Sequence, residues 1–173
     1  MKKLITITLF ILPVICLAKP KNLKVVCTPK FNPNASITVM NPDSDPLGIS
    51  DIMRNGLLMN GFDLISEKVA ISKASISNKI VYRDSILQQD ISSSSSVKIN
   101  SVYAMKFTYT PYVNFSGNYL LTISGQIVDL ANDGQIVASF SYKHSIFGAR
   151  MPDVIINALC EELKEKGKKC NQN

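Results

Sequence analysis

The dipeptide Asp133-Gly134, standing between the stretches Tyr119 to Asn132 and Gln135 to Lys143, most restricts how this chain can fold. Asp-Gly between two alternating stretches marks a two-residue β-hairpin, because both central positions of a type I′ turn need positive φ. Such a turn sets Ile127 opposite Phe140, Gly125 opposite Tyr142 and Ile123 opposite His144. The reverse of the ribbon then carries Val128 with Ser139, Gln126 with Ser141 and Ser124 with Lys143. One face is apolar and the other mostly polar. A slip of one residue would mix the two sets, so turn chemistry and hydrophobic pattern specify the same faces.

The same parity continues upstream. A five-residue loop Asn114-Phe115-Ser116-Gly117-Asn118 pairs Val113 with Tyr119, Tyr109 with Ile123, Phe107 with Gly125 and Met105 with Ile127. Phe107 then lies over a glycine that packs poorly in a strand. The reverse face pairs Thr110 with Thr122, Thr108 with Ser124 and Lys106 with Gln126. Ser101 to His144 is therefore expected to form an antiparallel three-stranded meander with one buried and one wetter face.

Met1-Lys2-Lys3, the apolar run Leu4 to Leu17 and the small Ala18 make a secretory signal peptide cut after Ala18. The run is too short for a transmembrane helix, which needs about 20 apolar residues. Ile15 before Cys16 argues against a lipidation signal, which wants a small residue there. Residues 19–173 suit one domain with a single core and contain no second apolar run long enough to span a bilayer. Removing Lys2 and Lys3 lowers the formal net charge of +6 by two. The remaining cations are scattered, apart from Lys164, Lys166, Lys168 and Lys169, which suit a solvated helix end. Nucleic-acid binding needs a basic stripe with interleaved aromatics, which this chain lacks, and export argues against it too. Cleavage leaves Cys27, Cys160 and Cys170, so at most one internal bridge can form. Cys160 and Cys170 are the preferred pair, on the expectation that a helix ends near Lys166 and Gly167 folds the tail back. Cys27 paired with either C-terminal cysteine is the alternative.

The remaining elements follow in order. Leu23 to Cys27 and Ser36 to Met40 are strands, Asn41 to Pro46 is a loop, and Leu47 to Asn60 is a helix by apolar spacing. Ser50 or Asp45 could cap its start, and Gly61 stands where a left-handed C-terminal glycine belongs. Phe62 to Ile65 is a strand. Between Glu67 and Ser101 the pattern is weak, with a short helix at Asp84 to Asp90 and a serine loop at Ser92 to Ser96. Pro152 and Asp153 open a last helix whose buried stripe is Ile155, Leu159 and Leu163. The expected fold is α/β leaning to α+β: a mixed sheet with a C-terminal antiparallel three-stranded meander, packed by an early helix and a C-terminal helix.

His144 is the only histidine, and its register puts it on the buried side near a strand end, where it is a packing residue. No nucleophile elbow, phosphate-binding glycine loop or Cys-x-x-Cys occurs, and Asp43, Asp45, Asp51, Asp129, Asp133 and Glu161 form no recognisable catalytic carboxylate pair, so no catalytic residue, cofactor or metal is assigned. The surface that stands out is the hydroxyl-rich face Thr108, Thr110, Thr122, Ser124, Gln126, Ser139 and Ser141. A solvated face explains it simply. As a functional surface it is a flat platform for a protein partner or a glycan. The leading expectation is an exported, non-enzymatic envelope accessory or binding protein, periplasmic or secreted, acting on an envelope protein. A small secreted hydrolase with an unrecognised site, or a secreted host-facing factor, is the alternative.

The strand Leu23 to Cys27, the helix ending in Leu57-Leu58-Met59-Asn60-Gly61-Phe62, and the run Ile127-Val128-Asp129-Leu130 before Asp133-Gly134-Gln135-Ile136-Val137 resemble bacterial envelope accessory domains. These are the TolB amino-terminal domain, the curli-secretion lipoprotein family and the outer-membrane activators of penicillin-binding proteins. The resemblance implies a non-enzymatic, partner-binding periplasmic domain and carries no binding residues with it. The lipidation cysteine of those lipoproteins is missing here.

Overall fold

The computed structural model describes residues 20–73, 101–144 and 149–170. The signal peptide Met1 to Ala18, the helix at Asp84 to Asp90 and the loop Ser92 to Ser96 lie outside the described residues. The strands are β1 (Leu23–Cys27), β2 (Ser36–Val39), β3 (Asp63–Leu64), β4 (Val102–Asn114), β5 (Gly117–Asp129) and β6 (Gln135–Lys143). They form one sheet in the order β1-β6-β5-β4-β2-β3. Each neighbouring pair in the series β1-β6-β5-β4 is antiparallel, whereas β2 runs parallel to both β4 and β3. Helix α1 (Ile49–Met59), the helical residues 67–73 (α2) and α3 (Pro152–Cys170) complete the α/β fold.

The meander is present, and its faces are those the parity assigns: Met105, Phe107, Ile123, Ile127 and Phe140 are buried. Its register differs at both turns. Asp133 and Gly134 do take positive φ, 53° and 72°, and the Gln135 amide donates to the Asn132 carbonyl across them. The strands, however, separate earlier, at Asp129 and Gln135. The Asp129 carboxylate holds the loop open by accepting from the Ala131 amide at 3.0 Å and the Asn132 side chain at 2.7 Å. This longer loop displaces the pairing by three positions, and a bulge at Ile127/Val128 takes one back. Beyond the bulge, Ile123 therefore faces Tyr142, not His144, and Gly125 faces Phe140. An even net shift preserves the two faces.

At the other turn, Tyr109–Ile123, Phe107–Gly125 and Met105–Ile127 pair as expected. A shift at Thr110/Pro111 then brings Val113 opposite Asn118 instead of Tyr119, leaving Phe115-Ser116 as a two-residue turn. Proline lacks the amide that a ladder needs, which accounts for an irregularity at Pro111.

α1 is fixed at both ends. Asp45 accepts from the Ile49 amide at 2.7 Å, the Ser50 amide at 2.9 Å and the Tyr109 hydroxyl at 2.7 Å, so one carboxylate ties the helix start to β4. At its end the Gly61 amide donates to Leu58 and the Phe62 amide to Leu57, with Gly61 at φ 72°. That is a Schellman closure, and it turns the chain directly into β3.

α3 lies across the apolar sheet face with Ile155, Leu159 and Leu163 fully buried, each contributing about 1.5–3 kcal/mol. It meets α1 where Gly56 has no side chain: a Cβ there would lie 3.1 Å from Ile156 and 3.2 Å from the Cys160 sulfur. Contrary to the expected break near Gly167, α3 continues to Cys170. A Cβ at Gly167 would lie 2.9 Å from the Phe31 ring and 3.1 Å from Pro33, so this glycine serves close packing and does not end the helix. Cys160 and Cys170, on one continuous helix, stand about 15 Å apart by helical rise. A disulfide spans at most about 7 Å between Cα atoms, so the structure does not bring this preferred pair together.

The basic end of α3 also differs from a solvated tail. The Lys164 ammonium donates to the carbonyls of Pro33 at 3.0 Å and Gly61 at 2.9 Å and sits 4.9 Å from the centre of the Phe62 ring. Lys166 donates to the Val25 carbonyl at 2.6 Å and pairs with Glu162 at 3.3 Å. Partial burial, and then the neighbouring Lys168 charge, lower the Lys164 ammonium below its usual range.

Candidate interaction face

The helices α1 and α3 pack on one side of the sheet, and the strand period sends every second residue of β1, β6, β5 and β4 to the other. Register turns that alternation into rows. Lys24, Ser141, Ser124 and Thr108 are successive cross-strand partners, and so are Val26, Ser139, Gln126 and Lys106. A third row runs Lys143, Thr122 and Thr110. Each row contains one lysine, and none contains a carboxylate.

Between the first two rows lies an open groove of about 560 Å³. It brings together five of the seven residues of the expected hydroxyl-rich face, Thr108, Ser124, Gln126, Ser139 and Ser141. Thr110 and Thr122 lie one row beyond it, where the Thr122 hydroxyl donates to Thr110 at 2.9 Å. Thr108 and Ser124 hydroxyls stand 3.4 Å apart. The groove floor is shaped by Gly125, which has no side chain between Phe107 and Phe140. It is the tip of the Phe140 ring, with the Phe107 Cβ on the other side, that fills the space under Gly125, rather than the Phe107 ring alone.

Lys24, Val26 and Lys106 also line the groove. Sequence alone reads Leu23 to Cys27 as an apolar strand and does not place it beside β6. The alternation of Lys24 and Val26 around buried Val25 is the signal that could have found them. The face offers ammonium donors, hydroxyls and an amide on a shallow, wide surface, which suits multipoint polar contact.

His144 follows β6 directly, its amide donating to the Leu121 carbonyl and its ring 6.2 Å from Tyr142. Among the described residues, no group of three or more His, Cys, Asp or Glu could hold a metal ion. No described helix is long and apolar enough to cross a membrane.

No protein-family model and no curated protein sequence matches the chain. Among solved structures, a dodecamer of a single-residue variant of PelC from Paraburkholderia phytofirmans is similar at 13% identity and TM-score 0.43, over 87% of this chain and 96% of that one. The PelC dodecamer of the same organism in another crystal form gives 12% identity and TM-score 0.40, over the same shares of the two chains. Lipoprotein GNA1162 from Neisseria meningitidis is similar at 14% identity and TM-score 0.32, over 78% of this chain and 99% of that one. Likeness at this level assigns neither family nor function.

Proposed function

We propose that this chain is an exported, non-enzymatic accessory protein of the bacterial envelope that works by protein contact at the open sheet face. The observation that carries the proposal is the three-row array of hydroxyls, amide and lysines, with its groove, on the side of the meander that α1 and α3 do not cover. A rigid sheet presents such groups at fixed spacing, so one complementary partner surface can meet hydroxyls, amide and ammonium groups together, which favours specificity. Export rests on the leader Met1 to Ala18, and the envelope setting rests on the resemblance of the strand, helix and hairpin order.

Photo-reactive residues placed at Ser124 and Gln126, with exposed Glu161 on α3 as the control, test this. The expected result is a leader-cleaved protein that cross-links one envelope protein from the face positions and not from Glu161, with the adduct lost on Ser141→Arg. An uncleaved chain retained in the cytoplasm, or equal labelling from Glu161, overturns the proposal.

A further inference from the structure

Cys27 and Cys170 meet at the edge of the fold. β1 sends Val25 into the core beneath α3, and Cys27, two residues further on, emerges on the same face. α3 tracks the strand in step: Lys166 donates to the Val25 carbonyl, and one turn later the Cys170 sulfur lies 3.6 Å from the Cys27 carbonyl oxygen. A helical turn advances about 5.4 Å and two strand residues about 6.6 Å, so the two elements stay matched at this point. Both cysteines are half-buried thiols in the structure. Burial, followed by the adjacent Cys170, pushes the Cys27 thiol up to about 11, and burial alone pushes Cys160 up to about 12. Cys160 is fully buried against Gly56 and acts as an inert packing group.

We infer that Cys27 and Cys170 form a disulfide that clasps the last turn of α3 to the edge strand β1, leaving Cys160 reduced. The chemistry is thiol–disulfide exchange with a protein or small-molecule disulfide. One cysteine loses its proton, and its thiolate attacks a sulfur of the oxidant, releasing one thiolate and leaving a mixed disulfide. The second cysteine, deprotonated in turn, attacks the bridged cysteine sulfur and expels the other oxidant sulfur. Two electrons pass to the oxidant, which leaves as a dithiol or as two thiols, and the two protons go to solvent or to its thiolates. The bridge would close nearly the whole described chain into one loop, since its ends are 143 residues apart.

The inference that this bond exists in the cell rests on the export proposed above, but the geometry can be tested apart from it. The purified full chain, incubated with oxidised glutathione and alkylated after denaturation, is expected to carry a bridge and so to weigh two hydrogens less before alkylation. Its peptides should show Cys27 joined to Cys170 and only Cys160 alkylated among the three. Cys160→Ser should bridge equally well, and Cys170→Ser should not. Full alkylation of Cys27 and Cys170, a persistent glutathione adduct without closure, or a bridge that includes Cys160 overturns the inference. Mapping the unsubstituted chain keeps the test valid should Cys27→Ser fail to fold. The same peptides from cells report on export: bridging with purified protein but reduced thiols in a cytoplasmic chain overturns the proposed location and leaves the clasp standing.

Discussion

Gly125→Ala is the sharpest test of how the meander is held. Freed of its neighbours, adding a methyl group to a strand glycine stabilises by about 0.4–1 kcal/mol, because the unfolded chain loses freedom. Here the added Cβ would lie well inside van der Waals contact of the Lys106 carbonyl oxygen and the tip of the Phe140 ring, and 2.8 Å from the Phe107 Cβ. The ring can swing, but the Lys106 carbonyl belongs to the β4 backbone, so β4 and β5 must part to admit the methyl group. Overpacking of this kind costs about 1–3 kcal/mol and outweighs the entropic gain. A net loss of about 1–2 kcal/mol corresponds to a melting point lower by about 2–8 °C for a domain of this size. Urea unfolding should show a lower midpoint with unchanged slope. In a Phe140→Leu background, where the ring tip is gone, Gly125→Ala should cost less, giving a coupling term in the double-mutant cycle. A Gly125→Ala protein as stable as its parent, or an absence of coupling to Phe140, would refute the close approach.

Two further perturbations probe the clamps between layers. Lys164→Met keeps the stem and removes donors to Pro33 and Gly61, so the protein should be less stable to denaturant by about 1–3 kcal/mol, whereas Lys168→Met should change little. Burial on its own would raise the Asp45 carboxyl, but the Tyr109 hydroxyl and the Ser50 and Ile49 amides together hold it below the usual carboxylate range. A carboxyl lowered by folding contributes stability that is complete above its unfolded pKa of about 3.9 and is lost as pH falls through the folded value. Asp45→Asn should therefore cost about 1 kcal/mol near neutrality, and the gap to the parent should close in acid unfolding below about pH 4. A gap that stays constant through the acid range would show that Asp45 does not act through its charge.

Much of the architecture was legible because two periodicities are local. The strand period placed Phe107, Ile123, Ile127 and Phe140 inward, and the helical period with Gly61 placed α1 and its abrupt turn into β3. Features set by contacts far along the chain were not legible. Gly167 looks like a terminator in isolation and becomes a packing surface only once Phe31 lies against it. Lys164 looks solvated until the carbonyls of Pro33 and Gly61 converge on it. The candidate interaction face was half legible for the same reason: hydroxyl alternation marks β4 to β6, while Lys24 and Val26 join only through the pairing of β1 with β6.

The Asp133-Gly134 turn shows how a register can be wrong while the faces it implies are right. Both residues adopt the expected conformation, yet Asp129 captures the Ala131 amide and the Asn132 side chain and lengthens the loop. A displacement of three positions would have sent Phe140 and Tyr142 to the solvent side, exposing two large aromatic side chains whose burial contributes about 1.5–3 kcal/mol for a group such as Phe. The bulge at Ile127/Val128 returns one position, and its local cost appears at Ile136, which is 46% exposed while Val137 beside it is buried. Burial of the inward set therefore selects among loop geometries, and the turn adjusts to it. The polar rows on the reverse are fixed by the same choice. Any substitution that removes the bulge should scramble Ser124, Gln126, Ser139 and Ser141 together with the core, which loss of near-ultraviolet circular dichroism alongside loss of cross-linking from Ser124 would reveal.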